Sequence, residues 1–403
     1  MGFTNVIWLL KRYGLEFLSE RVGIVLIAFT TAFMYAVFFD FLPLYAKDSG
    51  ITELGIGIIF STFYIVTSFF AVFLGWITDR VKGARWLLML AISLNILSCT
   101  VIVLNASFLS MLFARIFQGI AMASLAPLIR TIAVEFFGIT RGIGIIELFY
   151  SMGSFIGSIV GGIVAELFSL AMTFTLSALL LSVPLISLII SSRTYSLNYG
   201  KANEGLNTSF LSALGTVIKS RIATSIYITI FLRHTGACAV WAIYPLYIRY
   251  LGGNNVVIGI SAAVSTLVSA LFMKRASELA YRYGLRTLTL GTLFSLLVFV
   301  GYMLTPTAVL VIPIQVLLGV GWSLLLVGAE ISLIRVVGAS IRGTALGLLN
   351  TSLSLAATIG SIIGGFLAEV LNYRATIAFA ISACSLAFMV SVLSEKRTSL
   401  NLE

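Results

Sequence analysis

An all-α polytopic membrane protein is the fold class predicted here: twelve transmembrane helices in two pseudo-symmetric six-helix bundles. Three observations predict it. The 403 residues are 60% hydrophobic and only 10% charged, with mean hydropathy +1.10, whereas soluble domains are about 45–50% apolar. The chain contains successive apolar runs, each long enough to cross a bilayer as a helix. Motifs in the first half also return, in the same order, in the second.

Taken in order, residues 1–21 form an N-terminal tail. Apolar runs at 22–46, 53–75, 86–105, 108–132, 141–165 and 170–192 make the first bundle, 22–192. The first run ends without a small-residue cleavage site, so it is expected to stay as a helix rather than be removed as a signal peptide. Short connections force consecutive helices to be antiparallel neighbours. The longer, polar stretch 193–221, with Asn198, Gly200, Lys201, Asn203, Glu204, Gly205 and Asn207, is the linker. Runs at 222–250, 255–274, 286–305, 308–333, 342–368 and 372–394 make the second bundle, 222–394, and 395–403 is the C-terminal tail.

Charge sets the expected orientation. With both termini in the cytoplasm, all but five of the 25 Lys and Arg fall in cytoplasmic segments. The five are Lys47, Arg249 and Arg374 outside, and Arg115 and Arg233 within spans. The positive-inside rule therefore predicts a multi-pass plasma-membrane protein with cytoplasmic termini. The net charge of +10 reads as a topology signal and an attraction to anionic lipid, not as a nucleic-acid surface. Cys99, Cys238 and Cys384 are scattered in apolar runs, so neither a disulfide framework nor a metal site is expected. With one histidine and no nucleophile cluster, no enzymatic centre or cofactor is expected either.

The repeat is specific. Gly157-Ser-Ile-Val-Gly161-Gly162 through Glu166 in span five returns as Gly360-Ser-Ile-Ile-Gly364-Gly365 through Glu369 in span eleven. Pro43-Leu44-Tyr45 returns as Pro245-Leu246-Tyr247, and Leu128-Ile129-Arg130 as Leu333-Ile334-Arg335. Parallel repeats of this kind are related by an axis along the membrane normal and place a binding site near mid-membrane.

The segment joining spans two and three runs Gly75-Trp-Ile-Thr-Asp79-Arg80-Val-Lys-Gly83-Ala-Arg85. It resembles the signature loop GxxxDRxGRR of the major facilitator superfamily, with one extra residue before the second glycine. Arg115, Gln118 and Gly119, followed by Ala121 and Ala123, resemble that family's RxxQGxxxA pattern. Gly153, Gly157, Gly161 and Gly162 resemble the antiporter motif GxxxGPxxGG, with Ser158 where proline is usual. The resemblance covers nearly the whole chain and implies the major facilitator fold. Short loops and the absence of sugar-porter motifs place it nearest the twelve-span drug–proton antiporters.

That resemblance implies a secondary transporter working by alternating access, with proton-coupled efflux of amphipathic compounds. An importer or facilitator of an organic anion or other small metabolite is the second reading; a non-transporting membrane sensor on the same scaffold ranks third. The expected partners are a small-molecule substrate, protons and the lipid bilayer, with the protein a monomer and no nucleic acid bound. Gly75, Asp79, Arg80, Gly83 and Arg85 would form a conformational latch, with Arg130 as a partner for Asp79, or else a solvated surface pair.

Ionisable residues at membrane depth are functional candidates by default. Asp40 and Glu147 are the proton-coupling candidates, with His234, which titrates near neutral pH in its unperturbed state. Asp40 either faces the central cavity, alternating between a proton and Arg115 or a cationic ligand, or sits at the rim in contact with water. Glu147 serves as a second proton site or pairs within its own half; Glu330 reads as interfacial. Substrate or cavity candidates are Arg115, Gln118, Arg233, Tyr35 and Trp241, where a mid-membrane guanidinium at Arg233 favours an anion or needs an acid beside it. The glycines four apart in span five clear a helix face for close packing.

Overall fold

The structure is a computed structural model and describes residues 20–78, 84–190, 215–217, 219–337 and 341–400. Twelve of its helices are long and apolar enough to span a membrane. They are α1 (Glu20–Asp48), α2 (Glu53–Thr78), α3 (Ala84–Leu104), α4 (Phe108–Phe137), α5 (Ile139–Leu167) and α6 (Leu170–Ile190), then α7 (Arg221–Tyr250), α8 (Asn255–Tyr283), α9 (Leu285–Leu304), α10 (Val311–Val336), α11 (Arg342–Val370) and α12 (Tyr373–Leu400). No strand occurs among the described residues. Helices suit this composition because a helix satisfies its backbone polar groups internally, which hydrocarbon cannot do for it.

The ends are closed by local chemistry. Ser107, Ser220 and Asn254 precede α4, α7 and α8, and their side chains accept from the backbone N–H groups of Ser110, Ala223 and Val257 at 3.3, 3.3 and 3.0 Å. Each cap satisfies a donor that the first helical turn leaves unpaired. The turns after α1 and α7 each hinge on a glycine at positive φ, Gly50 at 80° and Gly252 at 81°. Equivalent hinges after equivalent helices extend the sequence repeat into backbone conformation.

Two compact units divide the chain: the described parts of Met1–Leu42 and Val66–Gly200 form one, and those of Pro43–Ile65 and Lys201–Glu403 the other. In the first unit, α5 lies directly on α1. A Cβ at Gly157 would stand 2.7 Å from the carbonyl oxygen of Phe33, and one at Gly161 would stand 2.6 Å from the Phe41 ring. Gly153 abuts the carbonyl of Phe29 in the same way, and Gly162 is buried. In the second unit, Gly360 and Gly364 of α11 meet the carbonyls of Thr235 and Ala239 on α7. The glycine motif thus does the same work twice: it removes side chains where two backbones must touch, the usual route to tight packing when lipid is as apolar as the helices.

α1 and α7 are the most buried of the twelve membrane-length helices, and α8 and α2 the least. Around α7, Ile226, Tyr227 and Ile230 pack with Leu288 of α9, Leu325 and Ala329 of α10, and Ala345 and Leu349 of α11. The Tyr227 hydroxyl closes that core by donating to the Ala345 carbonyl at 3.0 Å. Phe69, Leu148, Leu271 and Leu355 are exposed, as suits helices whose surroundings are apolar.

The largest boundary difference from the sequence reading is at the end of span eight. The apolar run ends at 274, but α8 continues through Arg275 to Tyr283. The extra turns persist because Ala276 and Ala280 pack against Leu324 and Val327 of α10, while Arg275 reaches Glu278 at 3.0 Å on the same helix. Gly284, at φ 53°, then turns the chain.

The α1–α5 seam makes a stability prediction. Gly157→Leu forces a side chain into the Phe33 backbone and should cost about 1–3 kcal/mol or more, read as a lower melting temperature and loss of the monodisperse peak in detergent. Gly144→Ala, where nothing lies within 4 Å, should be neutral or mildly stabilising. Equal behaviour of the two variants would contradict the packing described.

Candidate functional site

In the first unit Asp40 and Arg115 are buried in separate hydrogen-bonded settings. Asp40 of α1 is 6% exposed, and its Oδ2 accepts a hydrogen bond from the Ser158 hydroxyl of α5 at 2.6 Å. Among the described residues no cation pairs with it. Ser158 is itself buried, one position from the Gly157 contact that brings α5 onto α1. The serine that replaces the motif's usual proline is therefore the carboxyl's partner.

Arg115 of α4 is buried too, and its Nη1 donates to Gln118 Oε1 at 2.9 Å, one turn along the helix. Gln118 Nε2 reaches the Met34 sulfur of α1 at 3.0 Å, and the Tyr35 hydroxyl donates to the Gln118 carbonyl at 3.1 Å. The sequence candidates Arg115, Gln118 and Tyr35 are thus brought together on α1 and α4. Asp40 is tied to Ser158 in this structure and is not among their hydrogen-bond partners.

Glu147 and Arg130 find each other. Glu147 Oε1 accepts from both Nε and Nη2 of Arg130, at 3.0 and 2.8 Å, with both side chains about half exposed. Of the expected latch, Asp79, Arg80 and Gly83 lie outside the described residues, and Gly75 falls within α2. Arg85, at the start of α3, donates to the Ile189 carbonyl at the end of α6 at 3.1 Å.

In the second unit, Arg233 and His234 sit near the middle of α7. Arg233 is fully buried; its Nε donates to the Ser295 hydroxyl of α9 at 2.9 Å, while Nη1 and Nη2 have no hydrogen-bond partner among the described residues. Its guanidinium carbon lies 5.4 Å from the ring centroid of Trp241 and 5.3 Å from that of Trp322, within cation–π range. The His234 ring stacks on Trp322 at 5.6 Å and meets Trp241 edge-on at 5.5 Å. Sequence reading had named Trp241 as a substrate or cavity candidate; its joint contact with Trp322 on Arg233 depends on α10 lying beside α7. Nearby, Tyr244 donates to Ser261 Oγ at 3.0 Å and accepts from the Gln315 amide.

Sequence reading missed one cluster in the same unit. Asp48 pairs with Arg249 at 2.6 Å, Lys47 with Glu53 at 2.7 Å, and Glu53 also accepts from the Tyr373 hydroxyl at 3.0 Å. Glu369 of α11 accepts from the backbone N–H of Leu54 at 2.9 Å. These ties clamp Pro43–Ile65 to α7, α11 and α12. Lys47 and Arg249 had registered only in the topology count. The available signal was the pairing of each with an acid at a helix end.

Comparison with known proteins then gives the following. A family model described as Major Facilitator Superfamily matches residues 24–232 and 226–401. The multidrug resistance protein MdtG of Proteus mirabilis (strain HI4320) is 24% identical over 269 residues, 64% of this chain and 65% of that protein. The chain therefore matches just under two-thirds of that curated relative's length. Among solved structures, the nucleoside transporter NupG superimposes with a TM-score of 0.77 at 15% identity, covering 94% of this chain and 98% of that one. A POT family transporter in complex with a thioalcohol-conjugated peptide gives 0.74 at 14% identity, covering 94% and 96%.

The clamp predicts modest energies. Asp48 and Arg249 are each more than a third exposed, so a double-mutant cycle of Asp48→Asn with Arg249→Gln should give a coupling below about 1 kcal/mol. Glu53→Gln, which weakens ties to both Lys47 and Tyr373, should lower the melting temperature more than Asp48→Asn. The reverse ranking would contradict the clamp's geometry.

Proposed function

The chain belongs to the Major Facilitator Superfamily; from that premise we propose that it is a secondary transporter that exports amphipathic compounds by alternating access, in exchange for protons. The observation that carries this reading is the buried Asp40–Ser158 pair. An ionised carboxylate in an apolar interior needs water or a cation, whereas a protonated one is satisfied by neutral partners. The two protonation states therefore make different demands on the α1–α5 seam. Gaining or losing a proton at Asp40 shifts the balance between conformations that differ in water access there, which is the coupling a proton-driven carrier requires.

The distant likeness to a multidrug resistance protein supports the efflux direction, and the charge distribution along the chain supports cytoplasmic termini in a plasma membrane. Tyr35, Gln118 and Arg115 line the same unit as Asp40 and would contact substrate. Release and re-formation of the ties that hold Pro43–Ile65 to α7, α11 and α12 would accompany the cycle. A monomer suffices for each of these roles.

The test uses protein in proteoliposomes and records pH-gradient-driven flux across a panel of cationic, neutral and anionic amphipathic compounds. Wild type should move at least one class against its gradient. Asp40→Asn should lose most of the gradient-driven flux, about tenfold or more, while retaining substrate exchange at equal pH. Ser158→Ala should show an intermediate loss. Full gradient-driven flux in Asp40→Asn would sink the proposal.

A further inference from the structure

Arg233 is the largest fully buried side chain among the described residues, and the proton-coupling argument makes no use of it. Its surroundings are unusual for a charge at membrane depth. Ser295 donates its own hydroxyl proton to the Gly291 carbonyl at 2.9 Å and so offers its oxygen to Arg233 Nε. That single bond fixes the plane of the guanidinium and leaves the Nη1–Nη2 fork without a partner. No carboxylate pairs with Arg233 among the described residues. Cation–π contacts with Trp241 and Trp322 lower the cost of the charge but satisfy no N–H. An unpaired donor at such a site is expensive, so the arrangement suits a group that arrives from outside the protein.

We infer that the Arg233 fork is the recognition site for a monoanionic organic carboxylate, whose flat apolar body packs against Trp241 and Trp322. Each part of that assignment follows from a different feature. A planar guanidinium anchored through Nε presents two parallel N–H groups, the geometry that takes a carboxylate bidentately. One guanidinium with no lysine beside it balances one negative charge, which disfavours a phosphate dianion. His234, whose Nδ1 is buried without a hydrogen-bond partner, supplies one further polar contact at the same cluster. The indoles, 6.1 Å apart and edge to face, are only partly buried while Arg233 is wholly so; entry therefore passes the indole rings, which must shift to admit the ligand.

This inference deepens the export reading by naming the charged group of the cargo, and it relies on that reading only for the direction of movement. Binding is therefore measured apart from flux. Trp241 and Trp322 flank the site and report on it by their fluorescence. Purified full-length protein in detergent is titrated with phenylacetate and, separately, with its neutral analogue phenylacetamide, and the affinities are checked by calorimetry. Phenylacetate should produce a saturable change in tryptophan emission, with phenylacetamide at least about tenfold weaker. Arg233→Gln should remove that preference, and Arg233→Lys, which keeps the charge but not the fork, should fall between. Should Arg233→Gln fail to fold, Ser295→Ala carries the test, because it frees the guanidinium plane while leaving the charge in place. It should weaken phenylacetate binding severalfold.

Equal binding of acid and amide would overturn the inference. So would an undiminished preference in Arg233→Gln or in Ser295→Ala, or the absence of saturable binding by phenylacetate. Carboxylate binding without pH-driven flux would leave the inference standing and count against the export reading. Flux confined to cations, with no carboxylate binding, would do the opposite.

Discussion

The hydrogen bond from Ser158 to Asp40 depends on, and explains, much of what surrounds it. Hydrocarbon offers no partner to a polar group, so an acid on a membrane helix must be satisfied by the protein. At 2.6 Å, this bond requires α5 to lie against α1 with almost nothing between them. Gly153, Gly157 and Gly161 make that approach possible, since any side chain there would strike α1. Close packing and the Asp40–Ser158 hydrogen bond are thus one feature: the glycines bring in the helix that carries the serine.

The second unit uses the same seam differently. Gly360 and Gly364 bring α11 onto α7 as their counterparts bring α5 onto α1, yet α7 carries no acid at the corresponding place. It carries Arg233, held by Ser295 and walled by two indoles. A duplicated framework has therefore kept its packing and diverged in its charges, an acid in one unit and a base in the other.

Much of the fold was legible in the sequence because its determinants are local. Length and hydropathy located the membrane-length helices to within a few residues at most ends. The end of α8 was placed too early because the apolar run stops at 274, while Ala276 and Ala280 hold the helix through contacts with α10 that only the fold supplies. The site was legible as a set of residues but less so as a set of pairs. Asp40, Arg115, Glu147 and Arg233 stand out because charges are rare in apolar runs. Their partners do not: Ser158 is 118 positions from Asp40 and registered only as a missing proline, and Glu147 takes Arg130, which sequence reading had assigned to Asp79. Depth along a helix can be counted from sequence, but the face a side chain presents to another helix cannot.

The central claim is that Asp40 carries an exchangeable proton within the α1–α5 seam. Infrared difference spectroscopy on the purified protein, comparing low with high pH, observes this directly through the carbonyl stretch of a protonated carboxyl group. The account predicts a band in wild type that disappears as pH rises, is absent from Asp40→Asn, and shifts in Ser158→Ala, where the hydroxyl no longer perturbs it. An identical band in Asp40→Asn, or no titrating band in wild type, would contradict the account.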